Sequence, residues 1–342
     1  MWTISIVDRV RPDRSTDALV KATCLRDLQA ARAHWDAWRQ SNSLDKIDWR
    51  DQRYLVRLAK RLPTIAPDCP ISPRIVGLSR AMWTRSQMAV GFAARLVDAL
   101  SAAGAPILLL GSAAVEAKMA SQRSPVVVGA SDLQILTTRR WIGRAQVLAH
   151  SLGFERKSIH THALGDHAAI ALRCRGSIFL ALRSQPVGLP YLGDRQLNDI
   201  WSRAEQANFR GRPVLIPSHE DMIALTARQS FERTKDGRPA TVWPLDMVDL
   251  LSDSSLKADR VIAAARQIDG LNSLVGTIGY LSDQLDIGEA QKIIDSPYFG
   301  HTAGRRWRFY HEFFRIIQHQ LSDLKYRAGV LTSVARCEPA DI

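Results

Sequence analysis

The sequence has few cysteines, and none of them form a closely spaced pair. The four cysteines, Cys24, Cys69, Cys174 and Cys337, are spread over 342 residues without a Cys-x-x-Cys motif. Disulfide scaffolds are rich in cysteine, and structural zinc sites use cysteines at short fixed spacings, so neither class is expected. The pattern is typical of reduced thiols and predicts a cytoplasmic location.

Long apolar runs are also absent. No stretch approaches the ~18 consecutive apolar residues that span a bilayer, and the first residues, MWTISIVDRVRPDR, lack the apolar core of a secretory signal. Apolar residues make up 46% and charged residues 23% of the chain, which excludes wholesale disorder. The length suits roughly two globular domains, and we expect no membrane span.

Acidic residues are scarcer than basic ones. Lys and Arg number 46 against 34 Asp and Glu, a formal net charge of +12, but no block of five or six basic residues stands out. This charge indicates either a generally basic surface or a face that binds an anion. Arginines and aromatics alternate in RRWRFY at 305–310, a pattern compatible with stacking on nucleic acid. Because that spacing also fits a helix packed on a core, we do not expect a nucleic-acid partner.

Helical periodicity dominates the first hundred residues. Apolar residues recur at helical spacing in LRDLQAARAHWDAW and RYLVRLAKRL. The Pro-rich segment LPTIAPDCPISP then interrupts the pattern, and the following helix is predicted to end near Ala103, with Gly104 at its C-cap.

The pattern changes at Ala105. PILLLG indicates a buried strand, GSAAVEAKMA a helix, VVVGASDLQILTT a second strand, and RRWIGRAQVLAHSLGF a helix covering it. HAAIALRC and SIFLALRS flank the turn Arg175-Gly176 and predict a hairpin. From Pro217 onward the pattern is helical again. We therefore predict an α+β, α/β-like fold with a helical region at 1–103, a mixed-sheet core at 104–216 and a helical domain at 217–342.

One arrangement carries recognisable chemistry. The first core strand ends at Gly111-Ser112, where a helix begins, and Asp132 lies about twenty residues later on the second strand. Backbone N–H groups at a helix start bind phosphate, and a neighbouring carboxylate suits a Mg-nucleotide site. Strand alternation places Asp132 and Gln134 on one face. The same pairing also arises by chance in many α/β proteins.

The stretch from about 20 to 285 resembles, in order, an uncharacterised nucleotidyltransferase family of bacterial proteins within the DNA polymerase β-like superfamily. LDKIDWRDQRYLVRLAKRL resembles its N-terminal helices, and RAMWTRSQMAVGFAARLVDALSAAGAPILLLGSAAVEA resembles the helix that leads into a Lys-Gly turn. VVVGASDLQILTT matches the strand that usually reads Arg-x-x-Asp-x-Asp, and ALRCRGSIFLALRSQP matches a hairpin that usually carries Glu-x-His. PSHEDMIALTARQSFERT and PLDMVDLLSD match the C-terminal helices.

The resemblance implies a nucleotidyltransferase-like core at 104–216 and a function for it. Such a protein would move a nucleoside monophosphate from an NTP, with ATP the first expectation, to an acceptor: a small molecule, sugar, peptide or protein. Asp132 would be the catalytic metal ligand for Mg²⁺, and Gly111 and Ser112 would contact the phosphates.

The family's other polar positions are replaced. The second carboxylate falls at Gln134, the third at Leu180, and the usual His at Leu182, while Leu110 takes the place of the Lys before the turn. Two Mg²⁺ ions about 4 Å apart repel by roughly 17 kcal/mol at an effective dielectric near 20, and one carboxylate offsets little of that. The alternative is thus a catalytically lapsed protein that acts as a binding or regulatory partner and needs no cofactor.

Other ionisable residues offer substitutes for the missing groups. We interpret three further carboxylates as solvated side chains: Glu116, Asp166 and Asp194. The histidines of HTHALGDH either line the same cleft or are polar loop and strand-edge residues, and we favour the second interpretation: His160, His162 and His167.

Two geometric predictions follow from the assigned site. The Gly111-Ser112 turn and Asp132 should share one cleft, with Asp132 on the strand next to the one that ends at Gly111. Leu180 and Leu182 should share a sheet face and project toward the side predicted for Asp132.

Overall fold

The described residues of the N-terminal part of the chain contain five α-helices. A computed structural model describes residues 6–48, 51–121, 133–160, 169–174, 178–186, 192–231, 243–253 and 256–299. The helices are α1 (Ile6–Val10), α2 (Arg14–Cys24), α3 (Leu28–Ser41), α4 (Gln52–Ile65) and α5 (Ser72–Ala102). Asp13 and Asp27 cap α2 and α3, their carboxylates accepting backbone N–H groups of the first turn. Gly104, with φ of +74°, follows α5 and confirms the predicted end of that helix.

A seven-stranded mixed sheet lies in the middle of the chain, so the predicted α+β fold class is confirmed. Its order is β3-β4-β5-β2-β1-β7-β6. The strands are β1 (Leu108–Leu110), β2 (Leu133–Leu136), β3 (Glu155–His160), β4 (Ala169–Cys174), β5 (Ile178–Arg183), β6 (Glu205–Phe209) and β7 (Arg212–Ile216). Three helices are interleaved with them: α6 (Gly111–Ser121), α7 (Ile142–Ser151) and α8 (Asp194–Ser202).

Strand directions are mixed at the centre of the sheet. β2 runs antiparallel to β1 and parallel to β5, while β1 runs parallel to β7. The predicted strands β1 and β2 and the β4–β5 hairpin are confirmed. The strands β3, β6 and β7 are additions that the sequence patterns did not indicate. β3 and β6 form the two edges of the sheet and carry many polar residues, so no apolar alternation marks them.

Helices follow the sheet, as predicted, over the described residues beyond Pro217. They are α9 (His219–Gln229), α10 (Trp243–Leu251), α11 (Ala258–Gln267), α12 (Leu271–Leu285) and α13 (Gly288–Ile294). α1 packs closely on α12 at Gly276, which has no side chain. A Cβ added there would lie 2.7 Å from the carbonyl oxygen of Ile6. Buried residues from all three predicted segments join one hydrophobic core. The division into three domains stays a prediction.

No helix in the described ranges is long and apolar enough to cross a membrane. The three described cysteines, Cys24, Cys69 and Cys174, are buried and form no disulfide with one another, and Cys337 lies outside the described residues. The cytoplasmic location stays a prediction.

Candidate functional site

The predicted phosphate turn joins the central strand β1 to α6. β1 ends at Leu110, and Gly111 begins α6 with φ of +59°, a left-handed conformation that favours glycine. Leu110 pairs with Gln134 of β2, so the second motif strand lies directly beside the strand that ends at the turn, as predicted. Asp132 immediately precedes β2 and lies outside the described residues. Its place in one cleft with Ser112, and its role as catalytic metal ligand, stay predictions.

The register between β2 and β5 shows which residues of the two strands share a face. The pairs run in parallel as Leu133 with Leu180, Gln134 with Ala181, and Ile135 with Leu182. Paired residues project to the same face, so Leu180 and Leu182 do share a face, as predicted. That face is the opposite one from Gln134, which strand alternation predicts to share a face with Asp132. Asp132 itself lies outside the described residues, so their projection toward its side stays a prediction. Successive residues of a strand project to opposite faces, so the register alone decides which residues of β5 share a face with Gln134.

Arg183 is a functional candidate that the sequence patterns did not single out. The side chain of Gln134 is 5% exposed, and its Oε1 accepts a hydrogen bond from Arg183 Nη1 at 2.8 Å. Arg183 Nε also donates to the carbonyl oxygen of Gln185 at 2.9 Å. A guanidinium therefore contacts the position at which the resemblance places the second metal-binding carboxylate. The sequence does not show that Arg183 and Gln134 share a face of the sheet, because this depends on the register between β2 and β5.

This guanidinium works against a divalent cation at Gln134. A metal bound to Gln134 Oε1 would lie about 4 Å from the charge on Arg183, and at an effective dielectric near 20 the repulsion is about 8 kcal/mol. A phosphate oxygen would gain from the same charge. The described part of the site therefore favours an anion over a metal ion.

Ser112 is enclosed rather than open to a ligand. Its side chain is 0% exposed, and its Oγ donates a hydrogen bond to Oδ2 of Asp246 over 3.1 Å. Asp246 belongs to α10, is 4% exposed and also accepts a hydrogen bond from Arg53 Nη2 of α4 at 2.9 Å. The contacts of Gly111 and Ser112 with phosphate stay predictions. With the Ser112 hydroxyl bound to Asp246, the backbone N–H groups are the remaining donors of the turn.

A second, partly buried ion pair lies one turn further along the same two helices. Arg57 of α4 pairs with Asp249 of α10, and burial raises the pKa of the Asp249 carboxyl while Arg57 opposes that rise. Arg61, another turn along α4, donates to the carbonyl oxygens of Thr23 and Leu25. The arginines at i, i+4 and i+8 thus form one stripe, buried at Arg53 and partly buried at Arg57 and Arg61, that links α4 to α10 and to the end of α2.

A small pocket lies beside the turn. It is lined by Leu110, Gly111, Val115, Pro186, Pro217 and four residues of α9, namely Met222, Leu225, Thr226 and Gln229. None of these side chains is ionisable. Any charge for a triphosphate must therefore come from residues around this pocket rather than from its lining.

The substitute carboxylates differ in their surroundings. The side chain of Glu116 is 21% exposed, burial raises its pKa, and its Oε1 lies 3.8 Å from Arg210 of the β6–β7 turn. The prediction that Glu116 is solvated is therefore wrong, because α6 packs against the β6–β7 edge of the sheet. Asp194 begins α8 and is exposed, as predicted. Asp166 lies outside the described residues.

Histidines do not form a metal site in the part of the chain that the structure describes. His160 ends the edge strand β3, separated from β2 by two strands, and His162 and His167 lie outside the described residues. No group of three or more metal-ligating side chains occurs among the described residues. His219, at the start of α9, was not predicted: it is 7% exposed, neither ring nitrogen has a hydrogen-bond partner within the described ranges, and burial lowers its pKa. The RRWRFY segment is outside the described ranges.

Comparisons with known proteins add little to this geometry. No family model matches the chain, and no curated protein matches it. Among solved structures, the chain is similar to the solution structure of the antibiotic-resistance factor ANT(2'')-Ia, at 15% sequence identity and a TM-score of 0.39. The match covers 53% of this chain and 91% of the other. A similarity this weak carries no argument about the fold. The description of the fold rests on the strand order and pairing of the sheet.

Proposed function

We propose that this chain is a nucleotidyltransferase-like protein that binds a nucleotide without carrying out the two-metal transfer. The hydrogen bond from Arg183 to Gln134 carries the proposal. It places a cation and a neutral amide where an active site of this type needs a second carboxylate. The protein would then act as a binding or regulatory partner.

The arrangement of β1, α6, β2 and β5 supports a nucleotide as the ligand. A strand leads into a helix through a left-handed glycine, and the next strand pairs beside it. This order, together with the sequence motifs from about 20 to 285, is the basis of the resemblance. Backbone N–H groups at Gly111 and the guanidinium of Arg183 are suited to phosphate oxygens.

Mg²⁺ has a small part in this proposal. Asp132 would be the one carboxylate for a metal, and Arg183 opposes a second ion. We therefore expect ATP to bind weakly, with an affinity that changes little when Mg²⁺ is added or removed. Transfer of a nucleoside monophosphate to any acceptor should be absent or very slow, because no described group supplies the second metal site or a base.

Calorimetric titration with ATP, with and without Mg²⁺, tests the binding. Gln134→Asp combined with Arg183→Leu supplies a carboxylate and removes the guanidinium, so this variant should gain Mg²⁺-dependent ATP binding. Gln134→Asp alone is the matched control, because its new carboxylate would pair with Arg183 and gain nothing. A double variant that stays indifferent to Mg²⁺ would contradict the role assigned to Arg183.

Release of pyrophosphate from labelled NTPs tests the chemistry. The unmodified protein is expected to release none above background. Robust Mg²⁺-dependent release, abolished by Asp132→Ala and retained by the exposed control Asp194→Ala, would show that the chain is an active nucleotidyltransferase. Such a result would overturn the proposal of a lapsed site.

A further inference from the structure

Asp246 supplies a buried negative charge beside the start of α6. Its Oδ2 lies 3.1 Å from Ser112 Oγ, and its Oδ1 accepts a hydrogen bond from Arg53 Nη2 at 2.9 Å. All three residues are at least nine-tenths buried: Ser112 is 0% exposed, and Asp246 and Arg53 are each 4% exposed. One carboxylate therefore engages both the hydroxyl of the phosphate turn and a cation from α4.

Arg53 has an unused donor at this position. Its Nη1 is buried and has no hydrogen-bond partner among the residues that the structure describes. Because Arg53 Nη2 and Ser112 Oγ contact the same carboxylate, this donor lies close to the N-terminus of α6, a helix of eleven residues. A helix N-terminus and a buried guanidinium both favour a negative charge, and a phosphate offers more acceptor oxygens than a carboxylate.

We propose that Asp246 is an internal competitor of phosphate and holds the nucleotide site in an inhibited state. This inference rests on the proposed function. Asp246 accepts the hydrogen bonds of Ser112 and Arg53 in the free protein, and its charge repels an incoming phosphate. A bound phosphate takes over both donors and releases Asp246, which removes one of the two ion pairs that the structure describes between α4 and α10 and leaves Arg57–Asp249 as the other. Nucleotide occupancy is thereby transmitted to the packing of the N-terminal helices on the C-terminal helices.

Asp246→Asn tests the competition, because it removes the charge and preserves the size of the side chain. We expect calorimetric titration with inorganic pyrophosphate to show binding at least about tenfold tighter than in the unmodified protein. Asp249→Asn is the matched control: it breaks an ion pair between the same helix and α4, while the partner of the Ser112 hydroxyl is Asp246 and not Asp249. Equal tightening in both variants, or none in Asp246→Asn, would overturn the inference.

A second measurement uses the unmodified protein, so the test survives if Asp246→Asn does not fold. Pyrophosphate should increase deuterium uptake in α10 while leaving α11 unchanged, because release of Asp246 loosens α10. A ligand bound without displacing Asp246 would protect α10 or leave it unaltered, and that result would refute the inference. If ATP binds yet neither effect occurs, the competition fails and the proposed function stands. If neither ATP nor pyrophosphate binds any variant, the proposed function fails with it.

Discussion

Breaking the ion pair between Arg53 and Asp246 should cost more stability than any exposed ion pair of the protein. The two side chains are 3% and 6% exposed, and the nitrogen–oxygen distance is 2.9 Å. At that distance the attraction is about 6 kcal/mol at an effective dielectric near 20. Removing one partner leaves the other charge buried, so Arg53→Met should lower the free energy of unfolding by about 3–5 kcal/mol.

The matched control is Arg74→Met. Arg74 pairs with Asp45, but their side chains are 57% and 66% exposed, and water already solvates both charges. We expect a loss below about 1 kcal/mol for this variant. Replacing the whole buried pair, as in Arg53→Met with Asp246→Leu, should recover most of the stability that Arg53→Met alone loses, because no unpaired charge then remains.

Urea unfolding followed by circular dichroism measures these differences as shifts of the midpoint at constant slope. A loss for Arg53→Met no larger than that for Arg74→Met would refute the argument from burial. A further loss in the double variant would show that the hydrogen bond to Ser112, rather than the charge, is what stabilises this region.

Three further predictions concern other parts of the molecule. Gly276→Ala should destabilise the protein by about 1–3 kcal/mol in thermal melts, because its Cβ would meet the Ile6 carbonyl oxygen at 2.7 Å; Gly91→Ala, in an open helical position, should instead stabilise it by about 0.5–1 kcal/mol. Burial lowers the pKa of His219, so the unfolded chain binds the proton at a higher pH than the folded protein does. The free energy of unfolding should therefore fall as pH drops below about 6.5. Unfolding titrations of His219→Leu should show a smaller fall with pH, and an equal fall would contradict this. Burial raises the pKa of Cys24 to about 11, so iodoacetamide should label it only after unfolding, as checked by peptide mass spectrometry.

Several elements could be predicted because their signals lie in neighbouring residues. The apolar spacing of α4, the glycine after α5, the short apolar run of β1 and the turn between β4 and β5 each occupy a few consecutive positions. Local backbone preference and side-chain periodicity act over that distance. The edge strands β3 and β6 were missed because an edge strand needs no apolar alternation, and its pairing partner alone makes it a strand.

The sequence by itself determined the helices on either side of the sheet, the strands β1, β2, β4 and β5, the glycine turn after β1, and the amide at Gln134. Only the tertiary structure decided what surrounds that turn. The register of β5 places Arg183 on the same face as Gln134 and Leu180 on the opposite face, because successive residues of a strand project to opposite faces. Asp246 reaches Ser112 across 134 positions and Arg53 across 193. Contacts at such separations depend on how complete helices pack, and no local pattern of residues records them.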